Sequence, residues 1–296
     1  MEGIFAEKMK DFTLTAYKDL LVALQEAGYE TVLPSECASH CESMSADGAP
    51  LPLGGAGGRP PLPTGEGQGR GFLLLRHDVD LLPQNSLRTA QIEHDLGMKA
   101  VYYFRAVPES WDEEIIRAIA ALGHEIGYHY ESLTTCDGDV DEAYEDFRTN
   151  LERLRALAPV TSICMHGSPK SKWDSKDIWK KYDYHELGIT FEPYLDTDFG
   201  QVFYLTDTGR RWDGYKVSVR DRIPVYQDEW IRQGLTFHST KDIVAAVRGN
   251  RLPKQIMITT HPQRWDPFGM AWVKELLLQS VKNVVKRILI AIRKRK

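Results

Sequence analysis

Asp78 and Asp80 stand two residues apart in Arg76-His77-Asp78-Val79-Asp80, at the end of the apolar run Phe72–Arg76. Residues two apart on an extended chain face the same side, so both carboxylates would share one surface. That arrangement suits hydrolysis: one carboxylate holds a cation and the other takes a proton from water. The competing reading is an Arg–Asp ion pair that fixes a loop. The strand-end position favours chemistry, because ligands of parallel α/β folds gather at the carboxyl ends of strands. His129 closes Gly123-His124-Glu125-Ile126-Gly127-Tyr128-His129, and a neutral imidazole is a common metal ligand. His166 and His261 each end a further apolar run, and each suits either a metal or a general-acid role. The alternative for both is hydrogen bonding within a loop. Pro262 restricts the chain just past His261. His77, beside Asp78, should point away from the pocket and support it. His124 precedes its strand and reads as structural. His40, His94, His185 and His238 have no comparable placement.

Stepwise alternation of strands and helices must position these groups. A helix over Thr13–Ala27 puts Tyr17, Leu20, Leu21 and Leu24 on one face and stops at Gly28. Strands are expected at Phe72–Arg76, Ala100–Phe104, Glu125–His129, Thr161–Met165 and Gln255–Thr260. Helices are expected at Ser86–Leu96, Asp112–Leu122 and Val140–Leu157. Such alternation implies a parallel sheet with right-handed crossovers. Arg105 and Glu131 then join the histidines and aspartates at one rim. The stretch 167–250 reads as an irregular excursion of loops. Within it, Asp174–Trp179 reads as a pocket wall, and Glu192–Asp198 and Asp207–Trp212 together combine aromatic faces, carboxylates and guanidinium groups of the kind that bind sugars. Arg76, Arg105, Glu131, Tyr194 and Trp212 are the expected substrate contacts.

The order Arg-His-Asp-Val-Asp, then Gly-His-Glu-Ile-Gly-Tyr-His, then a late strand ending in His261 resembles the polysaccharide deacetylase superfamily, carbohydrate esterase family four. The resemblance covers about residues 72–262. It implies an α/β fold, a distorted (β/α)7 barrel, with a divalent metal, most often zinc, and hydrolysis of N-acetyl groups on the sugars of a surface polysaccharide or its precursor. By the same resemblance Asp78 is the catalytic base, Asp80 the aspartate ligand, His129 the first histidine ligand and His261 the catalytic acid. Two positions depart from the family. The second histidine ligand should lie four residues after the first, where this chain has Leu133; His166 is the first replacement and Glu131 the second. The family's Arg-Pro-Pro segment is here His166-Gly167-Ser168-Pro169. A related branch resembling allantoinases implies a cyclic-amide hydrolase without strict need of metal. Loss of the ligand at Leu133 also suits an inactive carbohydrate-binding homologue.

Composition sets the outer bounds. The chain has 296 residues, 42% hydrophobic and 27% charged, with a formal net charge of -5. Those values exclude a collagen-like, wholly disordered or membrane-embedded chain, and they carry no footprint for nucleic acid. Four cysteines are too few for a disulfide scaffold. The first twelve residues lack the apolar core of a secretory signal, and no 18-residue apolar run exists. A cytoplasmic location is expected, with contact to the inner face of the membrane as an extension of it. The expected organisation is an N-terminal helical segment over 1–34, an insertion over 35–71, the barrel over 72–265 and a basic amphipathic helix over 266–296. In the insertion, 14 of the 24 residues from Gly48 to Gly71 are Gly or Pro, too few apolar groups to offset their ordering entropy. In the C-terminal helix, Val281, Val284, Val285, Ile288, Leu289 and Ile292 form a stripe beside basic residues, which suits peripheral contact with an anionic membrane.

Overall fold

The computed structural model describes residues 11–36, 71–167, 171–213, 218, 222–267 and 269–293. The stretch 48–70 of the insertion lies outside them. In chain order the elements are helix α1 (Leu14–Glu26), strands β1 (Tyr29–Thr31) and β2 (Gly71–Val79), α2 (Pro83–Asp95), β3 (Val101–Phe104), α3 (Glu113–Ala121), β4 (Glu125–Tyr130), α4 (Ser132–Thr135), α5 (Val140–Arg155), β5 (Ile163–Met165), α6 (Pro193–Asp196), β6 (Phe203–Thr206), α7 (Pro224–Arg232), α8 (Thr240–Arg248), β7 (Gln255–Thr260) and α9 (Met270–Arg293). Among the described residues, short 3-10 turns supplement them at Ser175–Lys180, Tyr184–Leu187 and Pro262–Arg264.

The chain divides into two compact units. One contains 11–30, 71–73 and 199–293 of the described residues; the other contains 31–36 and 74–198. In the second unit β2, β3, β4 and β5 pair in parallel, with Asp78 opposite Tyr103, Tyr103 opposite Gly127 and His129 opposite Cys164. In the first unit β6 and β7 pair in parallel, Thr206 opposite Thr259. Parallel strands separated by helices make the fold class α/β, as the alternation in the sequence implies.

Local chemistry accounts for the elements. Thr13 accepts the amide of Ala16 at 3.2 Å and starts α1, whose buried face is Tyr17, Leu20, Leu21, Ala23 and Leu24. Asp112 caps α3 by accepting from Glu114 and Ile115, and Ile115, Ile116 and Ile119 go inside. Asp139 caps α5 in the same way. Gly127 is required by a close approach: a Cβ there would meet the Tyr103 ring at 2.3 Å and the Ser162 carbonyl at 3.1 Å. That contact explains the second glycine of the Gly-His-Glu-Ile-Gly-Tyr-His run.

The stretch 167–250 is less regular than the rest, as expected, but β6, α7 and α8 fall inside it among the described residues. β6 is only Phe-Tyr-Leu-Thr, too short for a periodic signal, yet all four of its residues are buried.

Candidate functional site

Strand β2 is buried along nearly its whole length, so its polar residues must satisfy one another. They do so by alternation. Arg76 donates to Asp78 through Nε at 2.8 Å and through Nη2 at 2.7 Å, and both side chains are almost wholly buried. His77, one residue off, reaches Glu93 on α2 at 2.6 Å and stacks on Tyr102 at 4.2 Å. The ion-pair reading of Arg76 and Asp78 and the strand-end placement are therefore both real. His77 is a support residue and His124 a structural one, its two nitrogens engaged by the amide of Ala100 and the carbonyl of Ala90.

The carboxyl ends of β2, β4 and β5 bring Asp78, Asp80, His129 and His166 together. His129 Nε2 lies 3.8 Å from Asp78 Oδ2 and 3.7 Å from Asp80 Oδ1. His166 Nε2 lies 3.4 Å from the same Asp80 oxygen. His129 Nδ1 donates to the carbonyl of Cys164 at 2.9 Å, which leaves Nε2 as the unprotonated nitrogen of the neutral ring. Burial brings the His129 pKa down to about 4, outweighing the pull of Asp78. His166 Nδ1 is 2.9 Å from Glu131 Oε2. Burial works against charge on His166, but its bond to Glu131 and the charge of Asp80 outweigh it and raise the pKa. Glu131 is itself brought down to about 2, because His166 and Arg105 overcome its burial. Arg105 donates to Glu131 Oε1 from Nε at 3.0 Å and from Nη2 at 2.6 Å.

One carboxylate and two imidazoles are an ordinary donor set for a divalent cation. Their ligand atoms lie within 4.8 Å of one another. The geometry fits such an ion: His129 presents its unprotonated Nε2 toward two carboxylates, and His166 Nε2 lies 3.4 Å from one of them. The nitrogens facing away from the cluster are held by a carbonyl and a carboxylate, the outer partners that orient metal-bound histidines. Leu133 sits elsewhere. It is buried with Ala143 and Ile178, so the position where the resemblance placed a second histidine ligand is core here, while His166 reaches Asp80 from the next strand.

In the other unit, His261 follows β7. Its Nδ1 lies 2.6 Å from Asp207 Oδ1, and its amide donates to Asp207 Oδ2 at 2.9 Å. Arg264 Nη1 at 2.6 Å and Trp265 Nε1 at 2.7 Å complete the set around Asp207. Burial alone would raise the Asp207 pKa, but Arg264 and His261 bring it below the usual carboxylate value.

Two expected substrate contacts are corrected. Trp212 is 4% exposed; it donates to Thr240 at 2.9 Å and stacks on Phe12 at 6.0 Å. Its face is already core and cannot meet a sugar. Arg76 has no exposed surface, so it supports Asp78 rather than touching a substrate. Arg105 and Glu131 are partly exposed but paired with each other. Tyr194 accepts from Arg76 Nη2 at 3.2 Å, and its ring lies 4.8 Å from that guanidinium. Two residues that the sequence placed only within candidate sugar-contact segments turn out to be buried anchors. Asp207 follows β6 directly, so the strand-end rule would have found it had the strand been visible. Glu192 is fully buried and accepts from the amides of Met165, Tyr194 and Leu195.

No family model matches the chain, and no curated protein matches it. Among solved structures it is similar to carbohydrate esterase family four polysaccharide deacetylases. One is a family pseudoenzyme from Bacillus anthracis, with TM-score 0.39, 12% identity, and coverage of 72% of this chain and 60% of that one. Another is a peptidoglycan N-acetylglucosamine deacetylase, with TM-score 0.38, 16% identity, and coverage of 72% and 82%. A third is a polysaccharide deacetylase from Bacillus cereus, with TM-score 0.37, 15% identity, and coverage of 72% and 88%. The chain thus spans less than two thirds of the pseudoenzyme's length.

Proposed function

We propose that the chain is a deacetylase-like hydrolase that removes an N-acyl group, acetyl in the first instance, from a sugar of a surface polysaccharide or its precursor. The observation that carries this reading is the convergence of Asp80, His129 and His166, with Asp78 beside them, at the carboxyl ends of neighbouring parallel strands.

Asp80, His129 and His166 would hold a divalent cation, zinc being the expected one. A cation there supplies Lewis-acid polarisation of a carbonyl and acidifies water. The chain's own residues supply the rest. Asp78 takes the proton from water, its carboxylate held in one orientation by the two Arg76 donors. Glu131 and the Cys164 carbonyl hold the imidazole planes of His166 and His129. His261 is the group proposed to protonate the departing amine. Asp207 sets its orientation through Nδ1, which makes Nε2 the atom that gives up the proton. Tyr194 is proposed as the aromatic face for the sugar.

The test is metal content and turnover measured on the same preparations, with an N-acetylglucosamine oligosaccharide as substrate. Asp80→Ala and His129→Ala should lose the metal. Asp78→Asn should keep it and lose turnover. His166→Ala separates a third protein ligand from a two-residue site. His261→Ala should slow amide cleavage by roughly 10²–10⁴-fold, the usual size of a general acid–base contribution, and slow an activated ester far less. Full metal occupancy in all of the ligand variants would overturn the assignment. Turnover of a cyclic amide in place of the sugar amide would move the chain to the allantoinase-like reading.

A further inference from the structure

Helix α9 carries two faces of different character. In its first half Trp272 and Gln279 are buried, and Asn283 donates to the carbonyl of Gly209 at 2.8 Å. These three lie on one side of the helix, since residues advance about 100° each. Met270, Leu277 and Leu278 lie on the opposite side and are 85%, 63% and 47% exposed. Large apolar side chains turned away from the body are unusual on a helix that already has a packed face. Lys274 shares the row, and a lysine stem can lie along apolar surface with its ammonium in water.

Charge identifies the occupant of that face. From Met270 to Lys296 the chain has eight Lys or Arg residues and one acid, Glu275, although the whole chain is at -5. The exposed apolar row therefore sits in the basic part of an acidic protein. No helix among the described residues is long and apolar enough to cross a membrane, so an amphipathic helix of this kind would lie in the interface plane. We propose that α9 docks the protein on an anionic lipid surface, with Met270, Leu277 and Leu278 inserted at the headgroup level and the basic residues on the lipid phosphates. The proposal is independent of the hydrolase reading and fits a substrate handled at a membrane.

The test is flotation of the full chain with vesicles of equimolar phosphatidylglycerol and phosphatidylcholine, against phosphatidylcholine alone. The chain should float with the anionic vesicles only, and added salt should weaken binding because exposed charges are screened. Leu277→Ser with Leu278→Ser should weaken binding at least tenfold, from the lost apolar transfer. Replacing Lys294, Arg295 and Lys296 by Ser should weaken it about a hundredfold, at about a fivefold loss per basic residue near the surface. The leucine variant should keep the parent thermal midpoint, since Leu277 and Leu278 are exposed. Three results would overturn the proposal: equal binding to neutral vesicles, unchanged binding by both variants, or a dimer that the leucine variant dissolves. A dimer of that kind would give the face to a second copy of the chain. Binding of single-stranded RNA without binding of anionic vesicles would overturn it as well.

Discussion

Around Asp207 one carboxylate collects four donors: the His261 amide and Nδ1, Arg264 Nη1 and Trp265 Nε1. Around His129 Nε2, two carboxylates of β2 and its following residues approach a single ring nitrogen, with a second imidazole beside them. The first cluster is closed, because every nearby group finds its partner in one anion. The second is open in the sense that carboxylate oxygens of Asp78 and Asp80 and a second imidazole converge on the unprotonated Nε2 of His129. A closed cluster holds an imidazole in one orientation, which suits a proton carrier. An open one suits a cation. The same residue types, histidine and aspartate, are thus tuned by the count of donors against acceptors around them.

Two buried carboxylates sharpen the contrast. Asp207 and Glu192 both have 0% exposure, yet they shift in opposite directions. Asp207 faces a guanidinium and an imidazole, which bring it below the usual value. Among the described residues Glu192 accepts from backbone amides, and burial pushes it up to about 7.

The largest effect should come from breaking the closed cluster. Asp207→Ala leaves Arg264 without its buried partner, and should cost about 3–5 kcal/mol in urea unfolding. A loss under about 1 kcal/mol would mean that the cluster relaxes and holds nothing. The wild-type contribution should be present above the usual aspartate range and fade as pH falls through the depressed Asp207 value. Stability that rises on acidification through that range would contradict it.

Breaking the open cluster should act on affinity instead. Glu131→Gln removes a charge behind His166 and should weaken metal binding 10–100-fold, as outer-partner changes do. Its unfolding midpoint without metal should move little by comparison. Metal titration followed by calorimetry measures both, and an unchanged affinity would place Glu131 outside the cluster's function.

Glu192 provides a pH test of opposite sign. Its raised value means that the protonated acid is favoured in the fold, so its contribution is complete below about pH 4.5 and is lost as pH rises through about 7. Glu192→Gln cannot ionise. Its stability deficit relative to the parent should shrink by roughly 1–3 kcal/mol between acidic and mildly alkaline conditions. A deficit that grows with pH would show that the ionised form is the favoured one.

The smallest effect tests a correction. Trp212→Phe keeps the ring among Phe12 and Trp265 but loses the bond to Thr240. It should cost about 1 kcal/mol and leave KM for a sugar substrate unchanged. A raised KM at full stability would return Trp212 to the substrate.

Period-two spacing alone determined that Asp78 and Asp80 share a side and that His77 does not. Strand–helix alternation determined that His129 and His166 reach the same rim, because parallel strands all end at one edge. Both follow from local geometry, which is why residues far apart in the chain could be grouped before any contact was known. Packing decided the rest. The four residues of β6 carry no period, so Asp207 looked like one acid in a polar loop until the strand beside β7 gave it a place. An aromatic in a polar run, such as Trp212, reads as a binding face. Whether it is one depends on Phe12, Thr240 and Trp265, which come from three distant segments. Leu133 shows the same dependence in reverse. At the position where a ligand was expected it packs against Ala143 and Ile178, and only tertiary structure could bring His166 to Asp80 in its place. Chain direction and side-chain alternation are properties of a few consecutive residues, whereas burial and partnership are properties of segments that meet only when the chain has folded.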